Sequence, residues 1–83
     1  MNLDYYTIRT ATAIDEAMMP ALLQAMGLYS QPQIVGRLFE EDGMFFLRFA
    51  IRTGAIRPYE DEFKDRLVEI IGDEIELTRA TRI

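Results

Sequence analysis

Residues 33–53, QIVGRLFEEDGMFFLRFAIRT, decide the fold. Two apolar, β-prone runs flank Asp42-Gly43. A two-residue type I′ turn needs positive φ at both central positions, and Asp-Gly meets that need, so the stretch reads as a β-hairpin. With Asp42-Gly43 as the loop, Glu41 opposes Met44, Glu40 opposes Phe45 and Phe39 opposes Phe46. Carried further, the same register opposes Leu38 to Leu47, Arg37 to Arg48, Gly36 to Phe49, Val35 to Ala50 and Ile34 to Ile51. One face then collects Ile34, Leu38, Phe45, Leu47, Phe49 and Ile51, which is the composition of a core face. The other collects Val35, Arg37, Phe39, Met44, Phe46, Arg48, Ala50 and Arg52. A slip of one residue would mix the two sets.

The flanking segments supply the rest of a small domain. Upstream, residues 4–10 are rich in aromatic and β-branched types and read as a strand, with Tyr6 and Ile8 on one face and Tyr5, Thr7 and Arg9 on the other. Residues 11–27, ATAIDEAMMPALLQAMG, change to helix-favouring Ala, Met and Leu. Thr12 with Asp15 resembles a capping box, and Asp15 is itself a candidate N-cap. A start near Asp15 is favoured, because an earlier one leaves Pro20 deep in the helix, where it removes a backbone hydrogen bond. Ala17, Met18, Ala21, Leu22, Ala25 and Met26 are then expected to face the core, with Gly27 past the helix end. Downstream, Gly54 and Pro58 punctuate a connection. A second helix is expected from about Pro58 to Ile71, its acidic first turn facing the positive end of the dipole. Tyr59, Phe63, Leu67, Val68, Ile70 and Ile71 form its apolar stripe and Gly72 caps it. A last strand is expected over 74–82, with Ile75 and Leu77 inward and Glu76, Thr78 and Ala80 outward.

The order is strand, helix, strand, strand, helix, strand. That βαββαβ order predicts an α+β fold, the ferredoxin-like plait: a four-stranded antiparallel sheet with two helices on one face. The 83 residues are expected to form a single domain, 1–83, with a core small enough for oligomerisation to help it. The chain has no Cys, so no disulfide supports that core. Its start lacks the pattern of a signal peptide, and no apolar run approaches the ~18–20 residues of a membrane span. A cytoplasmic location without membrane contact is the expectation.

Composition excludes several chemistries. With no His and no Cys, common zinc sites and Cys- or His-based catalysis are ruled out, and Ser30, the sole Ser, has no evident base. No glycine-rich phosphate loop is present. The acids at 40–42 and 60–62 read as solvated turn and helix-end groups. A non-enzymatic protein without metal or cofactor is expected. Net charge is −5, against the usual basic footprint of nucleic-acid binding. It is uneven: −2 over residues 1–30, +1 over 31–57 and −4 over 58–83, so the hairpin is the locally basic segment. Eight of the nine basic residues are Arg, the side chain suited to interfaces and to carboxylate or phosphate.

The sheet face opposite the helices carries the positive signal. It would display Tyr5, Arg9, Arg37, Phe39, Phe46, Arg48 and Arg52. Aromatic and Arg side chains interleaved on an uncovered sheet mark an interaction surface. The directly opposed Arg37 and Arg48 call for a compensating acid, from Glu76, a partner or a phosphate. The leading expectation is protein–protein contact: a homodimer, or an adaptor, regulator or inhibitor that meets an acidic protein surface.

Residues Asp42-Gly43-Met44-Phe45-Phe46-Leu47-Arg48-Phe49 resemble the third-strand motif of RNA-recognition motif domains, which share the βαββαβ order. Gly43, Leu47 and Phe49 match that motif; Met44 stands at a stacking aromatic position, Asp42 at a basic one and Phe45 at a small one. The resemblance implies single-stranded RNA as an alternative partner, stacked on the central strands with Tyr5 from the first. Two further alternatives are a small-molecule-sensing regulatory plait, with ligand at the junction Thr10-Ala11-Thr12-Ala13, and an acidic inhibitor of a nucleic-acid enzyme. The first of these is weakened by the absence of glycine at that junction.

Overall fold

The structure, a computed structural model, describes residues 2–80. It is a mixed α+β domain: an open antiparallel sheet with two helices. The elements are β1 (Leu3–Thr10), α1 (Met19–Gly27), β2 (Gln33–Ile34), β3 (Phe39–Glu41), β4 (Met44–Arg52), a 3-10 turn (Arg57–Tyr59), α2 (Glu60–Ile71) and β5 (Ile75–Ala80). The sheet runs β2-β4-β1-β5, and β3 also pairs with β4. It has five strands where the sequence predicted four, because the second predicted strand is split in two. Residues 81 and 82 of the last predicted strand lie outside the described residues.

The hairpin turn forms as expected. Asp42 and Gly43 have φ of 54° and 77°, and Phe39, Glu40 and Glu41 pair with Phe46, Phe45 and Met44. Beyond Phe39 the predicted register fails. Ile34 pairs with Phe49 instead of Ile51, and Gln33 pairs with Ala50. The chain from Ile34 to Phe39 therefore holds two more residues than the β4 segment it spans. Gly36, at φ 72°, takes the left-handed conformation that breaks the ladder, and glycine adopts it without the Cβ penalty. Val35 still donates its N–H to the Arg48 carbonyl at 3.0 Å. Because the slip is two residues, Ile34 and Leu38 keep the side expected of them, and both pack against the core half-buried.

Both helices pack on one sheet face. Tyr6, Ile8, Leu47, Phe49 and Ile51 from the strands meet Leu22 and Met26 of α1 and Phe63, Leu67 and Ile71 of α2, all buried. Tyr6 stacks on Phe49 at 5.3 Å between ring centroids, and Phe63 meets Phe49 edge-on at 5.9 Å. At ~1.5–3 kcal/mol per buried side chain, this shared layer is what holds the helices on the sheet. Ile14, Ala55 and Ile56 join the core from connecting segments, where the sequence pattern placed none of it.

The helix starts and apolar stripes need correction. Helix α1 begins at Met19, four residues after Asp15, with Pro20 in its first turn, so the proline breaks no hydrogen bond. Asp15 instead closes the preceding turn: its carboxylate accepts the Met18 N–H at 3.1 Å. Thr12 makes no capping box, since its hydroxyl donates to Asp73 at 2.8 Å. Ala17 and Ala21 are exposed, as is Tyr59, which belongs to the 3-10 turn before α2. Gly27 is the last residue of α1 and the cap is the right-handed Leu28. Gly72 ends α2 as expected, left-handed at φ 82°, its N–H on the Val68 carbonyl at 2.8 Å. Among the described residues no helix is long and apolar enough to cross a membrane.

Candidate interaction surface on the open sheet face

The alternation of β1 and β4 sends every second side chain away from the helices. On β4 these are Met44, Phe46, Arg48, Ala50 and Arg52; on β1 they are Leu3, Tyr5, Thr7 and Arg9. Tyr5 lies between Ala50 and Ala80, and Arg9 lies between Phe46 and Glu76. Phe39 and Glu41 of β3 oppose Phe46 and Met44, so they join the same face. No helix covers this surface.

At its hairpin edge lies an aromatic stack. The Phe39 and Phe46 rings lie 4.8 Å apart and 6° from parallel, both half-buried. The Arg48 guanidinium sits 5.1 Å from the Phe39 centroid, over the ring face that attracts a cation. Arg48 thus has a partner the sequence did not suggest. The predicted Arg37–Arg48 opposition does not occur, because the two-residue excess carries Arg37 into the interruption between β2 and β3, where it is exposed. Glu76, named as its possible compensator, lies 3.8 Å from Arg9 instead, in an ion pair too exposed to contribute much.

The arginines sort by location. Arg57, Arg66 and Arg79 on the helix side all have close carboxylates: Asp4, Glu62 and Glu60. Arg37, Arg48 and Arg52 have no ion pair among the described residues. On the face itself Glu76 pairs with Arg9, and at the end away from Arg52 the hairpin tip gathers Glu40, Glu41 and Asp42, all exposed. At the Arg52 end the surface sinks into a depression of about 470 Å³ bordered by Leu3, Pro32, Ala50 and Arg52. Arg52 also borders a second hollow, of about 570 Å³, that holds the exposed Leu28 and Tyr59.

Of the seven residues predicted for the surface, Tyr5, Arg9, Phe39, Phe46, Arg48 and Arg52 share one face, and Arg37 stands at its border. The sequence reading missed the polar groups behind it. Asp4 is fully buried and accepts hydrogen bonds from the Arg57 guanidinium, with Nε at 2.9 Å, and from the Gly54 N–H at 3.0 Å. Those hydrogen bonds, the guanidinium's foremost, outweigh burial and hold its carboxyl below the usual carboxylate range. Tyr6 donates its hydroxyl to Glu60 at 2.9 Å, and Arg79 donates to the same oxygen at 3.0 Å. Burial first, then Glu60, pushes the Tyr6 phenol up, so it stays protonated. These contacts tie β1 and β5 to the start of α2. An Asp in a predicted strand is a weak signal for them; the spacing to Arg57 carries none.

Chemically, the open face offers ring stacking, cation–π contact and guanidinium forks. Among the described residues no group of three or more Asp or Glu is placed to hold a metal ion. No protein-family model matches the chain, and a search of curated proteins finds no match. Among solved structures it is similar to the de novo designed protein Foldit4, with a TM-score of 0.60 at 11% identity over 98% of this chain and 97% of that one. At that identity the likeness concerns the fold alone: a small α+β domain with an open antiparallel sheet and two helices.

Proposed function

We propose that this chain is a non-catalytic interaction module, built on a ferredoxin-like plait, that binds protein through its open sheet face. In this reading it serves as an adaptor, regulator or inhibitor, in the cytoplasm. The observation that carries the reading is the Phe39–Phe46 stack under Arg48, set on a sheet face with no covering element. Aromatic and Arg side chains are the types that dominate binding energy when a partner desolvates them. Counting β2 and β3 as halves of one interrupted strand gives four strands in the plait order, which supports the framework. RNA is the less favoured partner, because Glu41 on the same face and Asp42 in the adjoining turn would repel phosphates.

The test is sedimentation of the wild type and of Phe46→Glu, alone and with candidate protein partners, with circular dichroism to confirm folding. Complexes formed by the wild type are expected to disappear in the variant. A complex of unchanged mass in Phe46→Glu refutes the reading. So does salt-dependent binding of single-stranded oligonucleotides that the same substitution abolishes.

A further inference from the structure

Resting on that reading, we infer that the occupant of the open face is a second copy of this chain, laid across it with its strands antiparallel, so that each hairpin tip enters the other's depression beside Arg52. Charge is laid out unevenly along β4. Glu41 pairs with Met44 at one end of the open face, and Arg52 stands at the other. Eight residue steps take β4 from 44 to 52, or ~26 Å at ~3.3 Å per residue. Both Glu41 and Arg52 are exposed, and neither has an ion pair among the described residues. The face is thus acidic at its tip and basic at its far end.

A self-complementary contact places the same patch on both copies, related by a two-fold axis. In the aligned mode of face-to-face sheet packing the strands stay roughly along one direction, and the axis then has two choices. With the axis parallel to the strands, tip lies over tip and Arg52 over Arg52, and like charges meet at both ends. With the axis across the strands, centred near Arg48, each acidic tip lies over the other copy's Arg52. The second arrangement also sets each two-residue turn beside the partner's hollow of about 470 Å³, which Arg52 borders. Between them each Phe39–Phe46 stack lies over the other copy's Ala50, which shields it from water.

The same alignment has one unfavourable element: the two Arg48 side chains approach near the axis. Each already leans over its own Phe39 ring, whose negative face offsets part of the repulsion. Arg48 therefore gives a test of sign. Removing its charge tightens a contact between two copies, whereas it weakens a contact with an acidic protein or a nucleic acid.

The experiment measures the dimerisation constant of the full chain by sedimentation equilibrium at low salt, with circular dichroism on every variant. Glu41→Arg and Arg52→Glu are each expected to weaken self-association about tenfold, since each puts like charges at both ends of the contact. An equimolar mixture of the two variants is expected to recover wild-type association, because the heterodimer has opposite charges at both ends. Arg48→Gln is expected to tighten the dimer severalfold. A wild type that stays monomeric overturns the inference, as does a dimer insensitive to the charge changes or single variants that weaken it with no recovery on mixing. Loss of the dimer in Phe46→Glu together with insensitivity to Glu41→Arg and Arg52→Glu overturns the alignment alone and leaves the open face as the contact.

Discussion

Two aromatic stacks stand back to back on the same sheet. Tyr6 and Phe49 stack at 5.3 Å under the helices, and Phe39 and Phe46 stack at 4.8 Å on the open side. The residues come from neighbouring strands in both cases, and Phe46 and Phe49 lie on the same strand. What differs is what lies above the rings. The inner pair is almost inaccessible and is joined by Phe63 from α2. The outer pair has a single guanidinium as cover. Ring geometry does not tell a core pair from a contact pair; the second layer does. Stability should therefore depend on the inner stack and association on the outer one.

The largest break in that contrast is Phe49→Ala. It opens a cavity beneath Tyr6 and Phe63 and is expected to cost about 3–5 kcal/mol of stability in urea unfolding. Next comes Asp4→Ala, which strands the Arg57 guanidinium and the Gly54 N–H and is expected to cost about 2–3 kcal/mol. The same carboxylate sets an acid limb. Its pKa is lowered on folding, so its contribution is complete above the unfolded value of ~3.9 and is lost as pH falls through the folded value. Stability measured against pH is expected to fall below about pH 4 in the wild type and to fall less steeply in Asp4→Asn. Gly72→Ala loosens the end of α2, because alanine in a left-handed position is strained, and about 1 kcal/mol is expected. Smallest is Phe46→Ala, expected to change monomer stability by less than about 1 kcal/mol. A loss as large as that of Phe49→Ala would erase the distinction between the two stacks.

The parts legible in the sequence are those specified by local chemistry. Asp42-Gly43 dictates its turn, Gly72 its cap, and the alternation in β1, β4 and β5 its faces. The slip between Ile34 and Phe39 was invisible for a definite reason. Hydrophobic alternation has a period of two, so it detects a shift of one residue and is blind to a shift of two. Gly36 was the available signal, since a glycine inside a strand pattern marks a break in the ladder. An unbroken register across Gly36 produced the Arg37–Arg48 opposition. The faces of Ile34 and Leu38 were still right, because face survives an even slip where partnership does not. Ile14, Ala55 and Ile56 escaped because connecting segments have no periodicity to reveal which side chains turn inward. The Asp4–Arg57 pair joins residues far apart in the chain and depends on tertiary geometry alone.

The break at Gly36 also bears on how the protein avoids runaway polymerisation. A sheet that presents a long, straight border can template another strand, and a chain with two such borders can grow without end. One border here is the six-residue β5. The other is divided into β2 and β3, of two and three residues, by a kink two residues too long for its neighbour. An incoming strand would find no continuous row of donors and acceptors there. Growth through β5 would therefore stop at a pair, and fibre formation would be blocked by backbone shape rather than by charge.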